Sequence, residues 1–210
     1  MKAEDIRSKI TSENLSILKR SLLFVDDRLA LLRERGKQAE TRATAMLAVS
    51  SILAGFVVHF GKTLEKLKLS NSVLFAALYL AVIFFIIKSI YYSIKTLWVL
   101  KGNELNTDLV FELQDFSESE AVRHELTWKI WEYWQCIPLT NEKLFWLNRS
   151  QRNTVAALIT YMFLGMVLYL KMKLGFSSYW IVNGLAVVFL VSFVLFIDIA
   201  MESLGKVWKK

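Results

Sequence analysis

Four long apolar blocks dictate the reading of this chain: residues 43–60, 72–100, 154–170 and 178–201 are nearly free of charge. A bilayer core about 30 Å thick is crossed by roughly 20 apolar residues at about 1.5 Å each. A soluble core helix carries a polar stripe at every third or fourth residue. Residues 73–87 and 181–197 carry no such stripe. Inside lipid the backbone must satisfy its own hydrogen bonds, which makes these blocks helices. A single proline in 210 residues agrees. The expected fold class is all-α: a four-transmembrane-helix membrane protein with a small helical cytoplasmic bundle.

Basic residues give the orientation, because lysine and arginine are retained on the cytoplasmic side. The N-terminal tail holds ten of them, from Lys2 to Arg42. The central region adds Lys101, Arg123, Lys129, Lys143, Arg149 and Arg152, and the C-terminal tail adds Lys206, Lys209 and Lys210. The two other loops hold Lys62, Lys66 and Lys68, then Lys171 and Lys173. This predicts a multi-pass membrane protein with both termini in the cytoplasm. Tyr91, Tyr92, Trp98 and Trp208 fall at the inner interface, and Tyr179 and Trp180 at the outer one. The first apolar block starts at Ala43, too late for a cleaved signal peptide, so the N-terminal region is expected to be kept. The domains read as a cytoplasmic amphipathic helix (1–42), a first transmembrane hairpin (43–100), a cytoplasmic helical region (101–153), a second transmembrane hairpin (154–201) and a basic tail (202–210).

Within the first domain, Leu15, Leu18, Leu22, Val25, Leu29 and Leu32 alternate steps of three and four, an a/d seam of about three heptads. Ile17, Leu23, Phe24 and Leu31 widen it. The seam packs either on the chain's own central region or on a second subunit or partner. In the first span, Thr44, Ala48, Ser51 and Gly55 share one face. Small residues let helices approach closely in lipid. The face is therefore a helix-packing surface or, in an oligomer, a pore lining to which Thr44, Ser50 and Ser51 would offer hydroxyls.

In the central region Ser117-x-x-Glu120 is a capping box. It opens a helix from Glu118 to about Gln135, carrying Trp128, Trp131 and Trp134 on an aromatic face. Pro138 is expected to end that helix, and Thr140 or Asn141 to cap the next one. The aromatic face belongs to a cytoplasmic bundle rather than the membrane surface, because Glu118, Glu120, Glu125 and Glu132 outnumber Arg123 and Lys129.

No catalytic motif is present, and no enzyme activity is expected. His124-Glu125 is not followed by the second histidine of a zinc protease helix, and there is no glycine-rich phosphate loop or nucleophile elbow. One cysteine and two histidines predict no metal site, and no cofactor is expected. Two charges, Lys88 and Asp198, interrupt spans two and four close to the inner headgroups. They either snorkel to water or form an ion pair that fixes or gates the bundle. No carboxylate lies at mid-depth, and four spans are few for inverted repeats, which argues against a proton-coupled transporter.

Arg42 and Leu47 stand where the charged helix meets the first hairpin, and Asn141, Lys143 and Leu147 form an N-x-K-x-x-x-L pattern before the second. The layout resembles the small membrane effectors of bacterial anti-phage operons, those of Pycsar, SLATT and retron systems. The resemblance implies an effector that oligomerises and disrupts the inner membrane when a cytoplasmic signal, or a regulatory protein or complex from the same operon, releases it. Its expected partners are the lipid bilayer and other copies of itself, with no direct nucleic-acid binding. The competing expectation is a non-lytic scaffold that anchors a soluble partner.

Overall fold

The computed structural model describes residues 3–12, 14–66, 73–99 and 116–174. Among them every regular element is helical: α1 (Ala3–Arg7), α2 (Leu15–Lys66), α3 (Val73–Trp98) and α4 (Glu118–Leu174). Three stretches are long and apolar enough to cross a membrane, Leu15–Lys66, Phe75–Trp98 and Glu118–Tyr169. They carry the first three apolar blocks. The fourth block, with Asp198, lies outside the described residues, as do the basic tail and residues 100–115.

Local chemistry sets the helix starts. Asn14 caps α2: its Oδ1 accepts from the Ser16 N–H at 3.0 Å. Glu120 reaches back to Ser117, accepting from its N–H at 3.1 Å and its hydroxyl at 2.7 Å, which is the reach-back half of the predicted capping box. These bonds, helped by Arg123 and Arg7, hold the Glu120 carboxyl below its ordinary pKa.

The expected break at Pro138 does not occur. α4 runs unbroken from Glu118 to Leu174 with the proline inside it. Proline removes one backbone bond and crowds the preceding turn. Here the residues beyond it, Thr140, Lys143 and Leu147, are buried, and their packing outweighs the local preference.

The chain divides into two compact units. The first comprises Met1–Leu53 and Phe85–Val155. In it the buried residues of α2 are Leu18, Leu29, Gly36, Ala39, Ala43, Ser50 and Leu53, all on one three-and-four repeat. The predicted leucine seam is thus the first half of a longer one, whose second half is built from small residues. Ala39, Ala43 and Leu147 form one apolar cluster, with Met46 and Leu144 packed against it. The second unit comprises Ala54–Phe84 and Ala156–Lys210. Its core joins Leu64, Phe75, Leu78, Leu164, Val167 and Leu168. Tyr79 donates to the Val57 carbonyl at 3.3 Å. Its hydroxyl also lies 2.5 Å from where a Cβ on Gly61 would stand, so a larger residue there would have to displace the tyrosine tip.

Candidate functional site

Four ion pairs join α2 to α4. Lys19 meets Glu118 at 2.7 Å, Asp26 meets Lys129 at 2.7 Å, Arg33 meets Glu132, and Glu40 meets Lys143 at 2.6 Å. Residue numbers rise together along both helices, so the two run parallel. On α2 the charged residues recur every seven positions, each directly after a seam residue: Leu18, Val25, Leu32 and Ala39. This is the flanking position that charges occupy beside a coiled-coil seam.

Signs alternate along the ladder. α2 presents plus, minus, plus, minus, and α4 presents the complement. Sliding one helix past the other by a single rung would set Lys19 against Lys129, Asp26 against Glu132 and Arg33 against Lys143. A slide in the other direction also sets like against like at every rung. The alternation therefore specifies the register by repulsion as well as attraction.

The rungs differ in weight. Lys19 and Glu118 are both more than half exposed, and such pairs contribute about 0–1 kcal/mol. Lys143 is buried, and so is Glu132, whose Oε2 has no hydrogen-bond partner among the described residues. Removing one partner of a buried pair costs about 3–5 kcal/mol, mostly because the other charge is stranded. Burial and the Glu132 carboxylate push the nearby Cys136 thiol above its ordinary pKa, against an opposing pull from Arg33, which disfavours the thiolate.

Where three apolar helices meet, their shared interior is polar. Ser89 of α3 lies 3.0 Å from Ser50 of α2, and 3.2 Å and 2.6 Å from Ser150 and Thr154 of α4, oxygen to oxygen. Ser93 lies 2.6 Å from Ser150, whose hydroxyl also bonds the Ser89 carbonyl at 3.0 Å. All five side chains are buried. Serine is small enough for close helix approach and carries a hydroxyl that binds across the gap. The pairings 89 with 154 and 93 with 150 make α3 antiparallel to α4.

The residues singled out in sequence fall differently. Leu18 and Leu29 of the seam are buried, and Leu15, Leu22, Val25 and Leu32 are partly so. Ile17, Leu23, Phe24 and Leu31 face outward. Thr44, Ala48, Ser51 and Gly55 share the exposed side of α2, and a Cβ on Gly55 would meet nothing within 4 Å. The Thr44 and Ser51 hydroxyls bond carbonyls of their own helix, at 3.1 Å to Glu40 and 2.9 Å to Leu47. Ser50 points the other way, into the serine cluster. Trp128 and Trp131 are partly buried and meet edge to face at 5.5 Å, while Trp134 is exposed. Lys88 is partly buried beside Ser89; the suggested ion pair with Asp198 falls outside the described residues.

No protein-family model, curated protein or solved structure matches the chain. Among the described residues no group of His, Cys, Asp or Glu is placed to hold a metal.

Proposed function

We propose that the protein is a four-span membrane effector, with both termini in the cytoplasm of a bacterial cell, that self-associates and permeabilises the inner membrane when its cytoplasmic helices are released. The observation that carries this reading is the two-sided character of α2. One side is sealed to α4 by the seam and the charge ladder. The other presents Thr44, Ala48, Ser51 and Gly55, flanked by the exposed Ile52 and Phe56. Hydroxyls tied to their own helix leave that side small and free of unmet polar groups, which suits helix association in lipid. The loose likeness to anti-phage membrane effectors supports the lytic outcome, and the alternating ladder supplies a latch that a partner could open.

A non-lytic scaffold is the second reading. It is favoured by a cavity of about 560 Å³ beside the exposed Ile17 and Phe24, with Lys9 and Arg20 in its lining. Dye uptake and membrane potential after induction of the chain alone separate the two. An effector depolarises the cells and stops growth. A scaffold leaves both unchanged, and that result would reject the lytic reading.

A further inference from the structure

The last turn of α3 and the middle of α4 hold a cluster of rings and cations separate from the ladder and the serines. Tyr92 stacks on Trp146 at 5.6 Å with 17° between the planes. The Lys95 ammonium lies 4.4 Å from the Trp146 ring centre, and the Arg149 guanidinium 4.5 Å from that of Phe145 and 5.8 Å from that of Trp146. Among the described residues neither cation is paired with a carboxylate, although rings are the weaker partners. The one carboxylate at the cluster, Glu142, accepts from the Trp146 indole at 3.2 Å. Arg152 stands one turn further on, its pKa pulled below the ordinary value by burial and by Arg149. Among the described residues positive charge therefore outnumbers carboxylate here.

The position along the helices says what kind of anion fits. On α3 an exposed apolar row, Leu80, Phe84, Ile87, Tyr91 and Ile94, ends at the 78% exposed Trp98. On the antiparallel α4 a second row begins at Val155 and continues through Leu158 and Met162. Along the helix axes the cations sit at the level where both rows stop. Aromatic rings beside cations at the end of an apolar surface are the signature of a headgroup layer.

We infer that Lys95, Arg149 and the Tyr92–Trp146 stack form a binding site for the phosphate of an anionic phospholipid. The two cations would grip the phosphate, with the rings against the glycerol backbone and the upper acyl chain. This goes beyond the proposed function and holds whether or not the protein is lytic.

The test uses the full chain purified in detergent with an equal mixture of phosphatidylglycerol and phosphatidylcholine, and reads retained lipid by native mass spectrometry. Phosphatidylglycerol should be retained about tenfold over phosphatidylcholine. The Lys95→Gln/Arg149→Gln variant should lose that preference, and Lys95→Arg/Arg149→Lys should keep it. Arg35→Gln/Lys37→Gln removes equal charge at two exposed positions elsewhere and should change nothing. Equal retention of both lipids by the wild-type chain overturns the site without recourse to any variant. So does loss of the preference in the Arg35/Lys37 control, which would mark it as a net-charge effect. Inorganic phosphate at millimolar concentration displacing the lipid completely would show a free-anion site and also overturn the assignment.

Discussion

Glu40 and Lys143 meet at 2.6 Å across two parallel helices, with the lysine end almost wholly withdrawn from water. Glu40→Ala strands that ammonium and should destabilise the chain by about 3–5 kcal/mol. Reversing both charges, Glu40→Lys with Lys143→Glu, should recover at least half of the loss. Thermal unfolding in detergent measures both. Equal stability of Glu40→Ala and wild type would mean that the pair is formed but carries no energy.

Ser89 is the hub of the hydroxyl cluster, so its truncation and its enlargement should differ. Ser89→Ala removes bonds worth about 0.6–1.7 kcal/mol in membrane helices and leaves the packing intact. Ser89→Leu forces bulk between three helices and should cost at least twice as much. A disulfide trapped between cysteines placed one turn away, at the buried positions 53 and 86, reports the spacing. Equal trapping efficiency in both backgrounds would show that α2 and α3 tolerate separation there.

The exposed small-residue side of α2 tests the proposed activity. In Ala48→Leu with Gly55→Leu, the new Cβ at position 55 meets nothing within 4 Å among the described residues, and leucine favours insertion. Insertion should therefore be complete and dye uptake abolished, while Leu53→Ala, on the buried seam, should leave uptake closer to wild type. A toxic, well-inserted double variant would assign this side to lipid alone.

Acid should loosen the start of α4. The Glu120 carboxyl is held below its ordinary value of 4.5 by the Ser117 hydroxyl and N–H, so its ionised form favours the folded helix. That contribution is present above about pH 4.5 and is lost as pH falls through the lowered value. Hydrogen-exchange protection at residues 118–122, taken relative to the intrinsic rate at each pH, should fall over this range in the wild type and stay flat in Glu120→Gln. Parallel acid profiles in the two proteins would remove the cap from the explanation.

Topology is checked by reporters fused after residues 66, 120, 174 and 210, which should read outside, inside, outside and inside. An outside signal at 120 would invert the orientation and with it the cytoplasmic placement of the ladder.

Much of this architecture is legible in the sequence, because leucine spacing and apolar block length are strong periodic signals. The seam can be followed from Leu15 to Leu32 and then fades, because Gly36, Ala39, Ala43 and Ser50 are too small or too polar to look like core. Close helix approach makes them core all the same. The ladder is half visible: Lys19, Asp26, Arg33 and Glu40 keep a seven-residue beat, whereas their partners fall at 118, 129, 132 and 143 and keep none. The serine cluster needs three helices at once, and no single segment announces it. Pro138 misleads because a local preference of a few kcal/mol is overridden by packing on both sides.

Every rung of the ladder joins residues 99 or 103 positions apart. Ribosomes add roughly 5–20 residues per second, so each charge on α2 waits about 5–20 s for its partner to be made. Through that interval the first apolar block has already been synthesised and the leucines ahead of it are uncovered. Chains growing side by side on one messenger carry the same bare row at the same moment, and a chaperone or a sibling chain can take the place that α4 will later fill.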